Sequence, residues 1–175
     1  MKHLFFALTT LLISSVTQAH IQVAPSVDLK AYMGTWYEIA RLPNSFEEKC
    51  QSNVTAEYTL REDGEINVVN SCDTFDGEHS VADGLAWQPN LDEPTKLKVS
   101  FVPFLKRLHL FGGDYWIFDV DESKYALVGS PDLEYLWILS RTPELEVDTI
   151  DKLLDQMIDM GVETRYLIFT KQDNT

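Results

Sequence analysis

The stretch NVTAEYTLREDGEINVVN, residues 53–70, decides the fold class. Val54, Ala56, Tyr58 and Leu60 alternate with Asn53, Thr55, Glu57 and Thr59, the period of a strand with one buried face. Asp63-Gly64 is a strong short-hairpin signal, and Ile66, Val68 and Asn70 share one face of the returning strand. A tight turn centred there sets Thr55 opposite Cys72. An antiparallel β protein follows, not a helical or βαβ one.

Working outward, the same short alternating runs recur between turn residues. Residues 34–41 (GTWYEIAR), 80–88, 96–101, 115–120, 125–129 and 135–141 complete a set of eight strands. Sequential strands are usually neighbours, so the pattern predicts an all-β, antiparallel up-and-down meander, which eight strands can close into a barrel. One helix follows. Ile150, Leu153, Leu154, Met157 and Ile158 make a single apolar stripe, with Asp148 placed as N-cap and Gly161 as the stop. This C-terminal helix is expected to lie on the outside of the barrel, with residues 166–170 as a final edge strand.

The chain has 175 residues and a formal charge of −14, with 28 acidic against 14 basic groups. That is the size of one domain, and the charge excludes a partner as acidic as nucleic acid. Residues 1–19 (MKHLFFALTTLLISSVTQA) read as a secretory signal peptide: Lys2, an apolar run from Leu4 to Ile13, then a small-residue cleavage pattern ending at Ala19. The run is about half the ~20 residues a membrane span needs. Residues 20–175 then form the one exported domain. Cys50 and Cys72 would meet an oxidising compartment, where a pair is most simply a disulfide. The tight-turn register leaves Cys50 away from Cys72 unless residues 42–52 fold back, so free thiols stay open as the alternative.

Further motifs carry a resemblance. Gly34-Thr35-Trp36-Tyr37 on the first strand, Tyr125-Ala126-Leu127-Val128, and Tyr135-Leu136-Trp137-Ile138-Leu139-Ser140-Arg141-Thr142-Pro143 stand in the order of the three conserved blocks of the lipocalin family. The chain resembles the bacterial lipocalins over about residues 28–171. The resemblance implies an eight-stranded lipocalin barrel with one closed end. Gly34 begins the motif, Trp36 plugs that end, and Arg141 lies over the indole. Both large residues are then structural, an Arg on an indole face contributing roughly 0.5–2 kcal/mol.

The same resemblance, with strand parity, implies a ligand cavity lined by Ala56, Tyr58, Val68, Asn70, Val99, Phe101 and Trp137, with Phe46 closing over it. Residues 42–52, 73–79 and 102–114 open onto the mouth. The last contains Phe104, Lys106, Arg107, Leu108 and Phe111, an apolar and cationic set suited to a lipid head group or a bilayer surface. The function expected is non-catalytic binding and carriage of a small hydrophobic ligand, such as a fatty acid or lysophospholipid, for maintenance of the cell envelope. A binder of pigment or haem, or an enzyme using Cys72 as a cavity thiol, is the alternative.

No G-x-S-x-G, H-E-x-x-H or phosphate-loop motif is present in the sequence, and its four histidines share no metal-ligand spacing. No cofactor, metal or nucleic-acid partner is expected. The expected location is the periplasm or outer-membrane surface. Lipoprotein relatives carry a lipidated Cys just after the signal. Here the first Cys is residue 50, which favours a soluble form with only peripheral membrane contact.

Overall fold

The computed structural model describes residues 21–102, 109 and 111–173. The expected signal peptide and Phe104, Lys106, Arg107 and Leu108 lie outside them. The strands are β1 (Gly34–Arg41), β2 (Cys50–Leu60), β3 (Ile66–Thr74), β4 (His79–Trp87), β5 (Lys96–Ser100), β6 (Gly113–Asp121), β7 (Tyr125–Gly129), β8 (Leu136–Ser140) and β9 (Ile168–Phe169). Helix α1 (Leu29–Tyr32) precedes β1, and helix α2 (Val147–Asp159) follows β8. Each of β2 to β7 pairs antiparallel with the next, β8 pairs with β1, and β1 returns to β2, so the sheet closes into a barrel, with β9 added on β1.

Pleating sorts the side chains. Trp36 opposes Ala56, Ala56 opposes Asn70, Tyr58 opposes Val68, and Ala86 opposes Val99. Their face forms one core cluster with Trp36, Ile117, Ala126, Val128 and Leu139. The opposite face of β1, β6, β7 and β8 supplies Ala40, Phe118, Leu127, Leu136 and Ile138 to a second cluster with Leu153 and Met157 of α2. The helix therefore packs outside the barrel, burying about 25 cal/mol for each Å² of apolar surface it covers.

Three details depart from the sequence expectation. The hairpin loop is longer than the tight turn: Arg61 donates to the Glu65 carbonyl at 2.8 Å, and Gly64 adopts φ +86°. This three-residue loop with a left-handed Gly sets Thr55 opposite Ser71, not Cys72. The α2 N-cap is Glu146, with Asp148 inside the first turn, and Ile158 is exposed because the stripe's edge rolls past the barrel wall. Gly161 does end the helix, at φ +90°. Val162 donates to the Met157 carbonyl and Gly161 to that of Ile158, a Schellman closure. The last strand shrinks to Ile168–Phe169 because residues 164–166 form a 3₁₀ turn.

Candidate functional site

The closed end is built on Trp36, which is wholly buried and donates its indole N–H to the Tyr32 carbonyl at 2.9 Å. The Arg141 guanidinium carbon lies 3.7 Å from the centre of that ring. Its three nitrogens donate to the carbonyls of Glu122 (2.8 Å), Thr35 (2.9 Å) and Ala31 (2.6 Å), tying the β6–β7 turn, β1 and α1 together. Gly34 sits at φ +95°, a conformation costly for residues with a side chain.

Above this plug lies a tyrosine trio. Tyr115 Oη is 2.7 Å from Tyr32 Oη and 3.1 Å from Tyr58 Oη. Burial pushes Tyr58 up to about 12, and Tyr32 and Tyr115 well above the usual phenol range, so all three are neutral hydroxyls. Three O–H protons meet only two O···O contacts, which leaves one donor unused inside the trio. Asn70, on the same barrel face, has a buried Oδ1 with no hydrogen-bond partner. Ala56, Tyr58 and Val68 are buried and Val99 packs against them. Phe101, just past β5, is 39% exposed, and its ring covers Gly84, where an added Cβ would lie 2.7 Å from it. This glycine is required by close approach.

At the open end, Trp137 stacks near Tyr135 (6.2 Å between centres), and Tyr135 meets Phe46 (5.2 Å). Phe46 itself is 62% exposed, at the edge of this aromatic group. Of residues 102–114, Phe111 is exposed. His109, assigned to the mouth by sequence, instead stacks on Trp87 at 4.5 Å and bonds Glu65 at 2.6 Å. Trp87 opposes Lys98 on the outward face, so this part of the segment runs down the outer wall.

Sequence reasoning passed over a buried polar corner in the same wall. A bulge between Glu38 and Ala40 turns two successive side chains outward, so Glu38 and Arg41 both fall on the inner face, opposite Leu139 and Trp137. Arg41 Nη1 donates to Glu38 Oε1 at 2.8 Å, and its Nε lies 3.3 Å from Glu47 Oε2. Glu47 Oε2 also accepts from Trp137 Nε1 (3.1 Å) and Asn44 Nδ2 (2.6 Å). Glu38, Arg41 and Glu47, within ten positions around the first strand's end, were the available signal. Beside this corner a recess of about 500 Å³ lies between the loop of residues 42–49, the start of β2 and β9, lined by Arg41, Phe75, Phe169 and Thr170 among others.

Cys50 and Cys72 form a disulfide, with Cα atoms 5.6 Å apart. No mouth loop folds back. Instead β2 extends to Cys50, and bulges around Asn53 (φ +55°) shift the register until Cys50 opposes Thr74. The open alternative of a Cys72 thiol enzyme falls with this bond, since a bonded sulfur is no nucleophile.

Comparison with known proteins agrees with this architecture. A family model described as a lipocalin-like domain matches residues 27–172. The chain is a lipocalin. It is 39% identical to the outer membrane lipoprotein Blc of Vibrio cholerae, over 98% of this chain and 99% of that protein. It is 38% identical to temperature-induced lipocalin-1 of Arabidopsis thaliana (89% and 84% covered) and 36% identical to apolipoprotein D of Mus musculus (87% and 80%). Among solved structures, insecticyanin of the tobacco hornworm superposes with a TM-score of 0.70 at 22% identity, covering 89% of this lipocalin and 85% of that chain. At that identity the likeness speaks for the fold alone. Lipocalins of this kind bind small hydrophobic ligands, and the Blc relatives are outer membrane lipoproteins by name.

Proposed function

We propose that this lipocalin is an exported, non-catalytic carrier that holds a lipid, a fatty acid or a lysophospholipid, in its barrel and serves maintenance of the cell envelope. One observation carries the reading. The inner face is apolar except for a few polar groups, among them a spare tyrosine O–H and the unpartnered Oδ1 of Asn70. That composition suits a long apolar molecule with one or two polar groups to orient it. Ala56, Tyr58, Val68, Asn70, Val99, Phe101 and Trp137 supply the contacts, and Phe46 covers the entrance. Each buried methylene is worth about 0.8 kcal/mol, so ten give ~8 kcal/mol, a ceiling near micromolar affinity before ordering costs are subtracted.

Residues 1–19 are removed on export, and the mature chain works in the periplasm or at the outer membrane. Exposed Phe111, with Phe104 and Leu108, makes peripheral bilayer contact. Replacing all three with Ser is expected to reduce co-sedimentation with liposomes, and unchanged co-sedimentation would refute that contact. The carrier function is tested by loading delipidated protein with N-phenyl-1-naphthylamine and titrating in oleic acid or lysophosphatidylethanolamine. Displacement at micromolar lipid is expected. A probe that never enters, or that neither lipid displaces, would overturn the reading.

A further inference from the structure

The corner of Glu38, Arg41 and Glu47 places two carboxyl groups against one guanidinium. The Glu38 side chain is 2% exposed, that of Arg41 7% and that of Glu47 15%. With both acids ionised the corner carries one uncompensated negative charge in a poorly solvated place, which is costly. Retaining one proton removes it. The groups facing Glu38 are few. β1 supplies Arg41, and the loop of residues 42–49 supplies Glu47. The C-terminal segment supplies the Thr170 hydroxyl, which donates to Glu38 Oε1. Burial and the neighbouring Glu47 outweigh Arg41 and Thr170 and push the Glu38 carboxyl up to about 8.

The corner sits where β1 changes partners. Pairing between β1 and β2 ends at Tyr37 opposite Thr55. Beyond that point β9 takes over on β1, and Gln172 bridges the gap by donating to the carbonyls of Glu38 (2.8 Å) and Val54 (2.9 Å). Glu47 in turn holds the Trp137 indole at the cavity mouth. The recess beside it reaches Arg41 and Thr170, so solvent has a path to the edge of the corner.

We propose that this corner is a proton-held latch: one proton kept by the Glu38–Glu47 pair fastens the first mouth loop and the C-terminal strand to β1, and its loss loosens both and weakens retention of the ligand. The ligand half rests on the carrier reading; the latch itself does not. The direction follows from linkage. The fastened form binds the proton more tightly than an opened, solvated Glu38 does. Opening therefore grows by up to about tenfold per pH unit from about pH 5 to about pH 8, and levels off above.

The test compares wild type with Glu38→Gln, which mimics the protonated acid. Amide hydrogen exchange at residues 42–49 and 168–172 is read as the ratio of the two proteins' rates at each pH, so that intrinsic exchange chemistry cancels. That ratio should climb between about pH 5 and pH 8, with core strands unaffected, and the affinity of wild type alone for N-phenyl-1-naphthylamine should fall over the same window. In Glu47→Gln the climb should move to lower pH, since the competing carboxylate is gone. A flat ratio, or the same pH response in Glu38→Gln, would overturn the latch. Proton-linked exchange in a protein that binds no probe at any pH would uphold the latch and overturn the carrier.

Discussion

Arg141 shows how much one side chain does here. Its planar head covers Trp36 and satisfies three carbonyls from three separate elements, so the closed end is fastened by a single residue. An ammonium group lacks the flat fork that reaches three fixed acceptors. Arg141→Lys should therefore cost roughly 1–3 kcal/mol, from the part-buried Glu122 carbonyl losing its donor and from the lost cover over the indole, seen as a lower urea midpoint with unchanged slope. An unshifted midpoint would show that the indole alone closes the barrel. These residues were readable from the motif blocks. Glu38, Arg41 and Glu47 were not, because strict alternation along β1 sends Ala40 inward and Arg41 out, and only the bulge reverses them. Tyr32 was equally hidden, since the four-residue helix that presents it is too short to show a period.

Elements were more legible than their joins. β1 and β7 have the bounds expected from sequence, and most other strands differ only at their ends. β2 buries one face and so alternates in composition, whereas β7 and β8 are buried on both faces and read as short apolar runs bounded by turn residues. The joins are set by local backbone geometry that alternation does not encode. A left-handed Gly64 lengthens the β2–β3 loop, and a left-handed Asn53 bulges β2. Together they determine that Cys50 reaches Cys72. The bond spans 22 residues of chain, and closing a loop of that size stabilises the fold by roughly 3 kcal/mol. Replacing both cysteines with Ala should lower stability by about that amount while leaving probe binding in the barrel intact. Loss of binding at a temperature where the double variant remains folded would mean that the disulfide shapes the cavity and does not merely fasten its rim.

Taken as a whole molecule, the lipocalin divides its apolar surface in two. One face turns inward around the tyrosine trio and Asn70, and the other is covered by α2, as the separate clusters of Val128 and Ile117 against Leu127 and Phe118 make plain. Inside the barrel, the Asn70 Oδ1 without a protein partner and the spare tyrosine O–H are the polar groups that the proposed ligand would meet. Native mass spectrometry of protein purified under gentle conditions, followed by lipid extraction, tests this most directly. The account predicts a population heavier by one amphiphile, lost on delipidation and restored by added fatty acid or lysophospholipid; protein that runs at its bare mass throughout and takes up neither lipid would contradict it.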